Sequence, residues 1–292
     1  MKSYFDIVGD GGSNIVGQVV ARQEAIDARL AAVRHMLAIG SGKGGVGKST
    51  LTMQLALALK ARGMQVGILD ADLNGPSQAR LAGLAGAPLV PGPQGLIPPR
   101  GAAGIAVLSM GTLLPESRAL EFDSVAGGES HVWRPAREFS ALAELLATVH
   151  WGPLDVLLVD LPPGADRTFQ YAEFLGKRAQ FVLVTIPSEL SRGVVARSVA
   201  ALRKAPNRLL GYIENMKGYL CPECQTVKPL FSSAEAGDAR PGVPCLGSVP
   251  FDPELAAACD AGTPMPEAAA GPVLAATRSL ADSILRHLEN PS

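Results

Sequence analysis

Ile39–Thr50 reads IGSGKGGVGKST. Gly42, Gly47, Lys48 and Ser49 satisfy the G-x-x-x-x-G-K-[ST] pattern. The apolar run Met36–Ile39 ahead of it predicts a strand, and the breaker-poor run Ser49–Lys60 behind it predicts a helix. Strand, loop and helix together are the setting that makes this pattern a phosphate loop. Glycines let successive backbone N–H groups curl around phosphate oxygens, and the following helix points the positive end of its dipole at the same place. Lys48 is expected to reach the β- and γ-phosphates and Ser49 to offer its hydroxyl to Mg²⁺. Gly42, Lys43, Gly44, Gly45, Val46, Gly47, Lys48, Ser49 and Thr50 therefore form the expected nucleotide-phosphate site.

The 292 residues suit one large α/β domain with a sizeable core better than two ordinary ones. The 26 basic and 27 acidic side chains give a formal charge of −1, which speaks against an electrostatic grip on nucleic acid. No apolar run reaches the ~20 residues that span a bilayer. The opening MKSYFDIVGDGG carries acids and glycines where a signal peptide would be basic and then apolar, so a cytoplasmic protein is expected, with no membrane partner. Residues 1–34 read as an N-terminal extension, partly an amphipathic helix through Ile26, Leu30 and Val33. Residues 35–292 read as the nucleotide-binding domain, including a cysteine-bearing loop over 216–240 and a C-terminal helix.

Outward from the phosphate loop, Gln65–Asp70 predicts a strand whose acidic end runs into DADLNGPS. Ligands of parallel sheets gather at the carboxyl ends of strands, so Asp72 is placed to meet the γ-phosphate, its Mg²⁺ or the attacking water. Asp70 can act through hydrogen bonds behind it, and Gly75–Pro76 marks a switch-like turn. Residues 83–104 read as loop with a short strand, Ile105–Ser109 as a strand, and 111–135 as poorly periodic. A helix is expected over 136–149. Leu154–Asp160, LDVLLVD, then reads as a buried parallel strand whose Asp160 would hold Mg²⁺ through water or Ser49. Asp166 is expected to cap the helix after Leu161–Gly164. Strands are expected at Phe181–Ile186, Leu209–Glu214 and Val243–Val249, with helices at Leu190–Arg203 and Pro266–Leu288. Asn215, at a strand end, carries an amide that can pair with the edge of a base.

Cys221-Pro222-Glu223-Cys224 lies beyond Asn215. The spacing can bring two sulfurs to one metal centre or make a dithiol redox pair. Two thiolates half fill a tetrahedral site. Cys245 and Cys259 can complete a zinc site in the chain, or two chains can pool their pairs across a two-fold axis. Inert cysteines are the remaining alternative.

Lys43, an early second lysine in GKGGVGKS, resembles the deviant Walker A signature of the MinD/ParA group of dimeric P-loop ATPases. DADLNGPS (70–77), LSMG (108–111), WGPLDVLLVDLPPG (151–164), IENM (213–216), CPEC (221–224) and LGSVPFDPEL (246–255) resemble its Mrp/ApbC branch of iron–sulfur cluster carriers. The resemblance implies a three-layer α/β/α fold with a mostly parallel central sheet. It also implies a homodimer that binds and slowly hydrolyses ATP with Mg²⁺ at Ser49, Asp72 and Asp160. Lys43 and Lys48 would serve the phosphates, Lys43 in trans, while Asp72 and Asp160 serve water and metal. Asn215 would recognise adenine, with the backbone of Pro250 to Asp252 nearby. Cys221 and Cys224 would share a [4Fe-4S] cluster between two chains and pass it to apoprotein clients. The rivals are a partition or positioning ATPase and a nucleotide-binding scaffold with structural zinc. The chain departs from the branch at Pro162–Arg167, where PPGTGD is usual, at Trp133–Ala136, where WRGP is usual, and in the glycine-poor Phe231–Gly237.

Overall fold

The computed structural model describes residues 15–73, 75–112, 130–231, 242–261 and 271–289. Most of the poorly periodic stretch, residues 232–237 and the start of the expected C-terminal helix lie outside them. In chain order the helices are α1 (Ile15–Leu30), α2 (Lys48–Lys60), α3 (Gln78–Leu81), α4 (Ser130–Thr148), α5 (Ala165–Leu175), α6 (Glu189–Leu202), α7 (Pro253–Asp260) and α8 (Pro272–Glu289). The strands are β1 (Val33–Ser41), β2 (Val66–Asp70), β3 (Val90–Gly92), β4 (Gly95–Ile97), β5 (Ala106–Leu108), β6 (Leu154–Asp160), β7 (Ala179–Thr185), β8 (Arg208–Leu220), β9 (Val227–Lys228) and β10 (Cys245–Phe251).

The main sheet runs β10-β8-β7-β1-β6-β2-β5, and every pairing along that path is parallel. Its inner strands are the near-continuous apolar runs of the sequence, because both faces are covered. Successive side chains still alternate between faces. Leu37 and Ile39 of β1 enter one core with α2, α3 and α8. Met36 and Ala38 enter the other with α1, α4, α5 and α6. The result is the expected three-layer α/β/α fold around a central, mostly parallel sheet.

Three local differences from the sequence reading have physical causes. Residues 83–104 contain a small antiparallel hairpin, β3–β4, where a single short strand was expected. Asp166 does not cap α5; Gly164 takes the N-cap place at φ 120°, and Asp166 falls in the first turn, where its charge meets the helix dipole. The strand through Asn215 does not stop there. β8 continues to Leu220 because β9 pairs with its far end, Tyr219 against Lys228 and Leu220 against Val227. At the start of α6 the Ser188 hydroxyl caps the helix, accepting from the Ser191 N–H.

α8 seals the first core over β10. Leu280 is 1% exposed, and its Cδ1 sits 3.3 Å from the point a Cβ on Gly247 would occupy. Truncating it opens a cavity that β10 cannot collapse into. Leu280→Ala should therefore lower the unfolding free energy by about 2–5 kcal/mol in urea denaturation.

Candidate functional site

β1 and β6 lie side by side with Ile39 opposite Asp160, and β2 follows with Asp70 opposite Asp160. The register brings the phosphate loop and both strand-end acids to one edge of the sheet. The loop is tightly seated. A Cβ on Gly42 would fall 2.1 Å from Val194 Cγ1 of α6, so no larger residue fits there. Gly47 caps α2 in the left-handed region, φ 75°, and no side chain caps the helix. The first N–H groups of α2 are thus left to an anion.

Lys48 is 7% exposed and its ammonium forms a buried ion pair with Asp160, which is fully buried. Asp160 holds two further donors: Gln78 Nε2 at 2.8 Å on Oδ2 and Thr52 Oγ1 at 3.4 Å on Oδ1. Gln78 Nε2 also donates to the Ser49 carbonyl at 2.9 Å. Both of those partners are acceptors, which fixes the amide orientation. Gln78 Oε1 is buried without a hydrogen-bond partner among the described residues. Ser49 Oγ lies 3.4 Å from Lys48 Nζ.

Asp70 ties down the loop that carries Asp72. Its Oδ2 accepts from the N–H groups of Ser77 (2.9 Å) and Gln78 (3.0 Å) and from Ser109 Oγ (2.9 Å), and its Oδ1 from the Asp72 N–H at 3.3 Å. Burial, and then the Asp160 charge, push the Asp70 acid up to about 7, against those donors and Lys48. Asp72 is half-buried and accepts from the Gly75 N–H at 3.2 Å. Tyr171 Oη of α5 donates to the Ala71 carbonyl at 2.7 Å and fixes the loop from the other side. Lys43 is half-buried and makes no hydrogen bond or ion pair among the described residues.

Beside the N-terminus of α2 opens a cleft lined by Gly47, Thr50, Asn215, Pro250, Phe251, Asp252 and α7. It brings Asn215, Pro250 and Asp252, the residues expected on the base side, together beside Gly47 and Thr50 of the phosphate loop. Asn215 Nδ2 donates to the Val46 carbonyl at 2.8 Å, which locks its amide against the loop. Asp252 turns its carboxylate inward to cap α7, accepting from the Glu254 and Leu255 N–H groups. Gln78 and Met216 belong to these sites and were not singled out from sequence, and Cys259 was read as a possible zinc ligand, not as a wall of the cleft.

The thiols form a separate feature at the far end of β8. The Cys221 N–H donates to the Thr226 carbonyl at 3.0 Å, and the Gln225 N–H to the Cys221 carbonyl at 2.8 Å. Gln225 is left-handed at φ 56°, which closes the turn. Cys221 is buried and Cys224 exposed. Thr226, through its hydroxyl and then its N–H, followed by Cys221, draws the Cys224 thiol down to about 7. Cys245 enters β10 opposite Tyr212, at the opposite end of the strand, and Cys259 sits on α7 at the nucleoside cleft. Among the described residues no three His, Cys, Asp or Glu side chains of this chain converge as metal ligands. The in-chain zinc site through Cys245 and Cys259 therefore finds no support in the geometry. No described helix is long and apolar enough to cross a membrane.

The family description ParA, NUBPL iron-transfer P-loop NTPase, matches residues 32–285. The chain is 37% identical over 250 residues to an iron-sulfur cluster carrier protein of Saccharolobus solfataricus, covering 85% of this chain and 81% of that one. It is 38% identical over 267 residues to the cytosolic Fe-S cluster assembly factor NUBP2 of Bos taurus, covering 88% and 94%. Among solved structures, a nucleotide-binding protein from Archaeoglobus fulgidus in complex with ADP is similar with a TM-score of 0.67 and 33% identity, covering 82% of this chain and 91% of that one. The cell division ATPase MinD of Pyrococcus furiosus, TM-score 0.58 at 22% identity over 87% of this chain and 99% of that one, shares the fold.

The Lys48–Asp160 pair stands or falls together in stability. Lys48→Ala leaves Asp160 buried and unpaired, and should cost about 3 kcal/mol in chemical denaturation. Adding Asp160→Asn should recover part of that loss, so that the double variant is more stable than the sum of the two single ones.

Proposed function

The chain belongs to the ParA family of NUBPL-type iron-transfer P-loop NTPases, and from that premise we propose that it is a cytosolic, nucleotide-gated carrier of iron–sulfur clusters. The observation that carries the proposal is the pre-formed Cys221–Cys224 knuckle, built on the same strand as the Asn215 that borders the nucleoside cleft. Soft thiolates suit iron and leave the hard-oxygen chemistry to the ends of β1, β2 and β6.

ATP is the substrate of the phosphate loop. Ser49, Asp72 and Asp160 are an all-oxygen donor set that suits Mg²⁺, and the orphaned Gln78 Oε1 beside them suits its hydration shell. When bound, Mg²⁺ would offset the negative charge of the phosphates. Lys48 exchanges its Asp160 partner for phosphate oxygens. The α2 N–H groups hold the same oxygens. Asp72, fixed through Asp70 and Tyr171, orients the water whose oxygen bonds to the γ-phosphorus as the bond to ADP breaks. Asn215 and the backbone over Pro250–Asp252 hold the adenine side.

The cargo is a [4Fe-4S] cluster. Each chain offers two thiols, so two chains pooling four make the full ligand set at a two-fold axis. Lys43, which has no ion-pair partner among the described residues of its own chain, reaches the partner's phosphates and joins ATP binding to the closing of the pair. Hydrolysis reopens the dimer and releases the cluster to an apoprotein through ligand exchange. A partition or positioning ATPase leaves the knuckle without a task, and the MinD likeness carries the fold alone.

Anaerobic reconstitution should give about four iron and four sulfide per two chains. Cys221→Ser with Cys224→Ser should bring both to background. Lys48→Ala should abolish nucleotide binding and impair delivery to an apoprotein acceptor. Zinc in place of iron, with ATP turnover absent, would instead favour the scaffold.

A further inference from the structure

The nucleoside cleft and the thiol knuckle share β8, and the strand is irregular between them. Val249 of β10 stands opposite Asn215, and Phe251 opposite Tyr219. β8 thus runs from 215 to 219 while β10 advances from 249 to 251. The surplus residues form a bulge over Met216–Gly218, and bulges bend a strand and re-aim the residues beyond them. Met216 has φ 57°, in the left-handed region that an unbranched apolar side chain rarely enters, and Gly218 has φ 96°. A residue held there needs its surroundings to hold it.

Those surroundings are the nucleoside cleft. Met216 lines it with Asn215, Val249 and Phe251. A Cβ on Gly47 would lie 2.4 Å from Asn215 Nδ2 and 3.3 Å from Met216 Cε, so both side chains press on the cap of α2. Beyond the bulge the chain is stiff. Tyr219 and Leu220 are paired to β9, and the knuckle comes directly after them, closed by two backbone hydrogen bonds. A Cβ on Gly218 would fall 2.5 Å from Val227 Cγ1 and 3.0 Å from the Lys228 carbonyl, so the hairpin sits hard against its own base.

We infer that Met216 is a positioning residue: the occupant of the nucleoside cleft bears on its side chain, and its strained backbone turns that push into a re-aiming of the hairpin that carries Cys221 and Cys224. This rests on the nucleotide reading given above and adds a route within one chain, independent of dimer closure. The ligand that acts on the hinge is a nucleoside triphosphate, and the response is a change in the exposure of the thiols.

The test labels the reduced 292-residue chain with N-ethylmaleimide and reads each cysteine by mass spectrometry, with and without a saturating non-hydrolysable ATP analogue. Cys245, exposed at the opposite end of the strand, is the internal control. In the wild type the nucleotide should change the Cys224 rate about fivefold or more and leave Cys245 unmoved. Met216→Gly frees the backbone, and at its own saturating nucleotide concentration it should bring that ratio to within about twofold of unity. Met216→Leu keeps both an apolar side chain on the cleft and the disfavoured backbone, and should keep the effect. Hydrogen exchange on the wild type should change with nucleotide over residues 217–228, a measurement that stands if neither variant folds. A Met216→Gly ratio equal to the wild type would place the coupling in dimer closure and overturn the inference. Bound nucleotide with no change in exchange over 217–228 would overturn it as well. A wild type that binds no nucleotide would bring down the phosphate-site reading itself, which direct titration separates from the other outcomes.

Discussion

The parallel pairing of β1 with β6 is the constraint on which the site depends. It sets Ile39 beside Asp160, and so brings the loop after one strand against the acid that ends the other. Lys48 and Asp160 then meet out of contact with water, with Gln78 and Thr52 filling the remaining positions of the carboxylate. Taking two charges out of water costs several kcal/mol per ion, and a pair of this kind repays that only when its other hydrogen bonds are made. Here they are made by residues from α2 and α3, so the pair also fixes how these helices sit on the sheet. A phosphate entering the loop competes for Lys48 with a partner that is already satisfied. Binding is an exchange of partners rather than the capture of a free ammonium.

Much of this was legible in the sequence because the signals are local. The apolar runs of β1, β6 and β7 are unbroken, and the phosphate loop is contiguous. Asp72 and Asp160 stand at strand ends, where parallel sheets gather their ligands. What escaped was tertiary in origin. Gln78 comes after a turn and reads as an ordinary polar residue; its part in the site appears only when α3 packs against α2 and β6. The extension of β8 past Asn215 was hidden because it depends on β9, two residues long and too short to show a period. The glycine at 218 read as loop, whereas its freedom serves a bulge. Gly164 displaced Asp166 from the cap of α5 by a backbone conformation that spacing cannot reveal.

The two chemistries are separated by ligand hardness as well as by place. Oxygen donors crowd the ends of β1, β2 and β6, and the thiols stand apart on the hairpin beyond β8. The separation keeps the soft donors of the hairpin away from the hard ones of the phosphate site. The connection between the two is short: four residues lie between Met216 and Cys221, and half of them are paired to β9.

The knuckle is closed by backbone hydrogen bonds among residues 221–226, with no long-range partner needed to give it shape. Its heritable information is therefore contiguous, and the residues between the sulfurs can drift without disturbing the sheet beneath. A lineage can exchange a few neighbouring codons in the hairpin while the sheet beneath it stays under its own, separate selection.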